Sequence, residues 1–283
     1  MTPSPRNALV TGANSGLGKE TALGLAKLGY HVVMVARSRE RGEAARQEII
    51  STSGNPQVEL MIADLAMQGS IRDLAAAYVA RHDRLHLLVN NAGNSFMTRQ
   101  VSADGIEMSL AVNHLAPFLL TNLLLDTLKA SAPARIVNVG TRLKTEIDLN
   151  DLQWQHRPYQ GLAAYAQSKL GNLHFTLVLA ERLVGTGITV NCVHPGVFRS
   201  SLGSSGGPQP WWMALMTGVA QPFLTPAEKA AERVLYVAVS HDLDGVSGRY
   251  YGDQVELTPP PQVMDTTVRE RLWAISTALT HLA

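Results

Sequence analysis

The feature that most constrains this chain is a glycine turn set between an apolar run and a helical pattern. Asn7-Ala8-Leu9-Val10-Thr11 leads into Gly12-Ala13-Asn14-Ser15-Gly16-Leu17-Gly18, and a helical pattern then runs from Lys19 to Leu28 and stops at Gly29. The order is strand, turn, helix. Glycines permit a tight turn and close backbone approach, while the helix N-terminus presents unpaired N–H groups and a positive dipole end to a phosphate. The spacing is Thr-Gly-x-x-x-Gly-x-Gly and not G-x-G-x-x-G, so a pyrophosphate site is read here by mechanism and not by pattern. A purely structural turn is the alternative.

The alternation continues along the chain. Strand-like runs cover His31 to Ala36, Val58 to Ala63, Leu85 to Val89, Ala134 to Val139, Ile188 to Val193 and Gly248 to Tyr251. Helical patterns cover Glu40 to Ser53, Ser70 to Arg81, Asp104 to Lys129, the segment around Tyr165 to about Arg182, Pro226 to Val239, and Val268 to Leu279. Strands alternating with helices predict an α/β fold whose parallel sheet is covered on both faces. In such sheets ligands bind in a crevice at the carboxyl ends of the strands, where the polar residues Asp64, Asn90-Asn91-Ala92-Gly93 and Thr141 fall. With no repeat or low-complexity linker, residues 1–283 are expected to form a single domain.

Composition narrows the function classes. Lys plus Arg number 24 and Asp plus Glu 23, and the net charge of +1 gives no hint of a nucleic-acid partner. The single cysteine, Cys192, excludes an intrachain disulfide and a cysteine-based metal site, and no metal ligand set is expected. Its plain reading is a small buried hydrophobe. No apolar stretch precedes the first strand as a signal peptide or membrane anchor, so a soluble, cytoplasmic protein is expected.

The chemistry centres on Ala164-Tyr165-Ala166-Gln167-Ser168-Lys169. On a helix, Tyr165 and Lys169 lie four apart on one face. A phenol titrates near 10, and a cation within about 4 to 6 Å favours the phenolate, bringing the group into the range of general acid-base work. Any amphipathic helix can carry this spacing, so the pair gains meaning only beside the other motifs.

Arg37 follows the second strand, with Arg39 and Arg41 close behind and no carboxylate before Glu40. At this place a carboxylate reads a free ribose 2′-OH and an arginine accommodates a 2′-phosphate. The expected cofactor is therefore NADP(H); a solvated basic helix start is the alternative. Asn113, a polar amide inside an apolar helical stretch, must find partners if buried, and either bends the helix or lines a site. His114 reads as a packing residue, since no carboxylate or second histidine accompanies it at metal or triad spacing. Trp154, His156, Pro158 and Tyr159 belong to a loop over the site. The Gly/Ser-rich stretch from Ser201 to Pro208, with Trp211-Trp212-Met213 after it, reads as a lid around 197–226 over an apolar substrate, or else as core or a dimer contact.

Together the turn at Thr11 to Gly18, Asn90-Asn91-Ala92-Gly93, Tyr165-x-x-Ser168-Lys169 and Pro195-Gly196 resemble the short-chain dehydrogenase/reductase family over nearly the whole chain. Gly12 to Ala22, Val112-Asn113-His114-Leu115 and Ser247 to Tyr251 look most like its retinol-dehydrogenase-type members. The resemblance implies a Rossmann-like, doubly wound sheet of about seven strands. It implies Tyr165 as general acid to a carbonyl oxygen that receives hydride at its carbon, and Lys169 holding the nicotinamide ribose and lowering the Tyr165 pKa. Asn113 would position Lys169 through a water relay, and Thr141 would orient the substrate. Cofactor contacts carried over are Gly12, Asn14, Ser15, Gly16, Leu17, Gly18, Asp64, Leu65, Asn91, Ala92, Gly93, Pro195, Gly196 and Val197.

The family usually has Ser-Ser after the fifth strand, where this chain has Gly140-Thr141. Thr141 keeps the hydroxyl but adds a β-branch. Arg142-Leu143-Lys144 follows, which either admits an acidic or polyoxygenated substrate or is a solvated basic loop. The anchoring segment of animal retinol dehydrogenases is not expected here, so retinoid activity itself is not implied. Three readings stand: an NADP(H)-dependent carbonyl reductase or alcohol dehydrogenase for a bulky, largely apolar small molecule; a non-redox relative performing elimination, epimerisation or rearrangement; and an NADP-binding sensor. Relatives pair through helices corresponding to 104–129 and 162–184, so a homodimer or homotetramer is an open expectation.

Overall fold

The computed structural model of the protein describes residues 6–142, 145–196 and 225–282. The first half alternates β1 (Asn7–Thr11), α1 (Gly16–Lys27), β2 (His31–Ala36), α2 (Arg39–Ser53), β3 (Val58–Ile62), α3 (Gln68–Val79) and β4 (Leu87–Asn90). Then come α4 (Met108–Leu110), a π turn (Ala111–Leu115), α5 (Ala116–Leu123), α6 (Leu125–Ala130), β5 (Ala134–Val139), α7 (Gly161–Arg182) and β6 (Ile188–His194). Beyond them lie α8 (Ala227–Val239), β7 (Tyr250–Gly252), β8 (Val255–Glu256), α9 (Pro261–Met264) and α10 (Thr266–Leu279).

The strands form one sheet in the order β3-β2-β1-β4-β5-β6-β7-β8. Every pairing from β3 to β7 is parallel, and β8 joins β7 antiparallel. The central strands are buried on both faces, which is why they read as unbroken apolar runs. Successive residues feed opposite cores: Leu9, Val33 and Val35 pack with Phe118 and Phe175, whereas Val10, Val32 and Met34 pack with Leu25 and Val234. Strand order reverses between β1 and β4, and the register Val10↔Val89 sets the glycine turn beside Asn91 at the crevice.

Two features depart from the sequence expectation. The sheet has eight strands where about seven were expected; β8 has only two residues, too few to carry any period of its own. The stretch read as one helix from Asp104 to Lys129 starts at Met108, widens into the π turn, and is interrupted again at Leu124. Pro117 accounts for the first break, because it has no N–H and its ring crowds the carbonyl four residues back, that of Asn113.

Helix α10 lies over α5 and α7. The Trp273 ring packs edge-on against Phe118 at 4.9 Å and tilted against Phe175 at 5.9 Å, Arg182 stacks over Trp273 at 4.1 Å, and Arg269 pairs with Glu181 at 2.7 Å. This part of the helix faces expected to pair between copies is covered by the chain itself. No helix among the described residues is long and apolar enough to cross a membrane.

Candidate active site

A crevice of about 400 Å³ opens at the carboxyl ends of the strands. At one end is the glycine turn. Gly12 has φ +67° and Gly16 φ +51°, values that favour glycine, and a side chain on Gly18 would run into Asn91 and the Gly12 carbonyl. Asn91 Nδ2 donates to the Thr11 carbonyl at 2.8 Å, and Thr11 Oγ1 accepts from the N–H groups of Asn91 and Ala92 at 3.0 Å. These bonds weld the ends of β1 and β4. Ser15 offers α1 no side-chain cap and no acidic residue sits in its first turn, so the helix end keeps its positive character toward the crevice.

Gly12, Asn14, Ser15, Gly16, Leu17, Gly18, Arg37, Asp64, Leu65, Asn91, Ala92, Gly93, Thr141, Tyr165, Lys169, Pro195 and Gly196 all line this one crevice. Arg37 is exposed at its rim, joined by Arg41, whose N–H donates to the Ser38 cap of α2 at 3.3 Å. Asp64 accepts from the Ala66 N–H at 2.9 Å, which shapes the turn after β3. Val197, Lys144 and all but the last two residues of the expected lid lie outside the described residues.

The catalytic candidates meet at the other end. Lys169 is buried on α7, and its Nζ donates to the Val139 carbonyl at 3.0 Å. A Cβ on Gly93 would stand 2.7 Å from that ammonium and 3.1 Å from Asn113 Oδ1, so glycine is required where β4's loop passes between them. Asn113 lies in the π turn, just behind the crevice wall. Its Oδ1 accepts from the Asn94 N–H at 2.8 Å, and its Nδ2 donates to the Asn94 carbonyl and to Ser168 Oγ, both at 2.9 Å. Ser168 in turn donates to the Tyr165 carbonyl at 2.8 Å. Whatever relay Asn113 makes toward Lys169, these direct bonds clamp the β4 loop to the turn of α7 that carries Tyr165.

Electrostatics correct the expected lowering of the Tyr165 phenol. Burial pulls the Lys169 ammonium down to about 8, opposed by the neighbouring Cys192, and burial pushes the Tyr165 phenol up to about 12. The protein's own groups therefore do not give the lowered phenol expected from the Tyr-Lys spacing. They leave a protonated phenol one helical turn from a mostly charged lysine near neutral pH. Cys192 is fully buried, as expected, and burial pushes its thiol up to about 12.

Some residues in and around the crevice were given no role in the sequence reading. Ser168 was visible only as part of a motif. His194 borders the crevice, and burial, with Arg142 and Arg233 as lesser causes, lowers it to about 4, so it is neutral at physiological pH. Arg233 reaches back from α8 to donate to the Pro195 carbonyl at 2.5 Å and pairs with Asp253. Gly196, at φ +88°, has no room for a Cβ beside that guanidinium. Nothing in the local sequence joins residues so far apart.

The family model for short chain dehydrogenases matches residues 6–209. Human retinol dehydrogenase 13 is 42% identical over 281 residues, spanning 98% of this chain and 85% of the relative. The chain belongs to the short-chain dehydrogenase/reductase family, in its retinol-dehydrogenase-like branch. Among solved structures, an uncharacterized protein from Mycobacterium paratuberculosis superposes with a TM-score of 0.78 at 30% identity, covering 98% of this chain and 93% of that one. The Pseudomonas aeruginosa RhlG/NADP active-site complex superposes with a TM-score of 0.67 at 27% identity, covering 88% and 94%. This short-chain dehydrogenase/reductase is thus an oxidoreductase of a nicotinamide-nucleotide family. The crevice fits such a cofactor, with a glycine cradle and an uncapped helix end at one extremity and Tyr165 and Lys169 at the other.

Proposed function

We propose that the protein is an NADP(H)-dependent carbonyl reductase, or the reverse alcohol dehydrogenase, acting on a bulky, largely apolar small molecule. The observation that carries this is the convergence of Thr141, Tyr165 and Lys169 with the glycine turn in one crevice. The cofactor such a crevice would hold would supply or accept the hydride at the carbinol carbon.

Tyr165 then donates its phenolic proton to the carbonyl oxygen, giving the alcohol. A phenol held near 12 is fully protonated at neutral pH, which suits reduction. Thr141 places its hydroxyl toward the same oxygen, and charged Lys169 favours the phenolate that remains. Asn113 and Ser168 hold this constellation in place. Phe96, Met108 and Val112 add apolar wall to the crevice, and the name of retinol dehydrogenase 13 points to a lipophilic alcohol or aldehyde. Arg37 and Arg41 at the rim, together with the NADP in the RhlG complex, support the phosphorylated cofactor.

The test is NADPH and NADH titration by nicotinamide fluorescence, followed by turnover on apolar aldehydes and ketones. Tyr165→Phe should abolish turnover while leaving NADPH binding intact; unchanged turnover would sink the mechanism. Arg37→Asp should weaken NADPH roughly 10-fold or more while sparing NADH, since charge-assisted contacts to phosphate contribute on the order of 1.5–3 kcal/mol. Equal affinity for both cofactors in the unaltered protein would overturn the NADP assignment.

A further inference from the structure

At the end of the sheet opposite the crevice, three side chains converge from separate segments. His31 opens β2, Glu59 is the second residue of the edge strand β3, and His82 follows α3. His31 Nε2 lies 2.9 Å from Glu59 Oε1, His82 Nε2 lies 3.4 Å from Glu59 Oε2, and the three ligand atoms all fall within 4.8 Å of one another. The rings meet edge to face, with centroids 5.2 Å apart.

Ion pairing accounts for this group only in part. One carboxylate faces two imidazoles, and the His82 side chain is 92% buried (8% exposed). Its Nε2 is close to Glu59 but out of hydrogen-bonding geometry, so a buried ring nitrogen has no hydrogen-bond partner among the described residues. A buried polar atom in that condition costs about 1–3 kcal/mol unless something satisfies it. A lone pair aimed at a carboxylate and a second imidazole is satisfied well by a cation.

We propose that His31, Glu59 and His82 form a binding site for a divalent transition metal of the zinc class, separate from the cofactor crevice. Two imidazole nitrogens and one carboxylate are a donor set that such ions take at about 2.0–2.2 Å, with water completing a tetrahedron. The ligands are rigidly carried. His31 N donates to the Arg6 carbonyl at 3.0 Å, Glu59 is in register with Val33, and His82 N donates to the Tyr78 carbonyl at 2.8 Å. The Tyr78 ring also packs on His82 at 4.7 Å. A metal here would stitch the edge strand and the turn after α3 to β2. Its role is structural, because Arg37 and Asp64, which border the crevice, lie at the other ends of the same two strands.

The experiment uses full-length protein without a histidine tag, stripped with chelator and titrated with Zn²⁺ and Co²⁺. One equivalent should bind more tightly than about 10 µM, Co²⁺ should give the visible bands of a tetrahedral nitrogen and oxygen site, and saturation should raise the thermal midpoint by about 5 °C or more. His82→Gln and His31→Gln should each abolish both the bands and the shift, with folding checked by circular dichroism. Absence of one-to-one binding to the unaltered protein overturns the proposal whatever the variants do. Undiminished binding in a folded His31→Gln/His82→Gln double variant overturns it equally, by locating the metal elsewhere.

Discussion

A Cβ placed on Gly140 would stand 2.7 Å from the sulfur of Cys192, across the pairing of β5 with β6. The two residues share one volume. The Gly140-Thr141 pair that departs from the family's Ser-Ser thus has a packing cause: the sulfur occupies the space a side chain at the first position needs.

Gly140→Ser should therefore cost about 1–3 kcal/mol in urea unfolding, the usual range for overpacking. Adding Cys192→Ala should recover most of that loss, a coupling well above about 0.5 kcal/mol. Additive effects of the two changes would show that the contact is not the cause.

Asn113→Ala removes three hydrogen bonds to Asn94 and Ser168 at once. Steady-state assays should show kcat falling on the order of 10²-fold as the β4 loop and α7 lose their alignment, while NADPH affinity moves little. Ser168→Ala, which loses only part of the clamp, should fall less. A larger effect on cofactor affinity than on kcat would count against the clamp.

Burial lowers His114 to about 4, and burial, with His114 and Arg269 as lesser causes, lowers His174 to about 4. In the unfolded chain both titrate near 6.5. Between those values the unfolded state binds more protons, so stability is full above pH 6.5 and is lost as pH falls toward 4. The two together steepen the loss by about 2–3 kcal/mol per pH unit at most. His174→Gln should flatten urea midpoints measured from pH 7 to pH 4, and an unchanged slope would contradict the assignment.

Trp273 bridges Phe118, Phe175 and Arg182, joining α10 to α5 and α7. Trp273→Ala should destabilise by about 3 kcal/mol and bare the apolar faces of those helices. Light scattering should then find more self-association than in the unaltered protein, because α10 covers part of the α5 and α7 surface. A stable dimer of unaltered protein through α5 and α7 would contradict this.

Much of this molecule can be read along the chain. Apolar runs such as His31–Ala36 and the turn at Gly12 to Gly18 announce themselves through local period and residue type, and their order prescribes the doubly wound sheet. The crevice residues that follow a strand, such as Gly12, Arg37 and Asn91, were legible for the same reason. What escaped depends on contacts between distant segments. Arg233 reaches Pro195 across 38 positions, and His31 finds His82 only after β2 and β3 are in register and α3 has packed back. The lowered phenol expected at Tyr165 failed on burial, since spacing gives the neighbour but not the solvent.

The π turn at Ala111–Leu115 amounts to one residue more than a regular helix would hold. Excising a single residue there would restore the ordinary winding and turn the residues of the bulge itself by about 100° from their present facing, while the flanking helices kept theirs. The Asn113 amide would rotate away from Asn94 and Ser168 while almost every helical hydrogen bond survived. The active site is thus written partly in a count: a shortened chain with every named catalytic side chain still present would fold, bury the same core, and be misaligned at its centre.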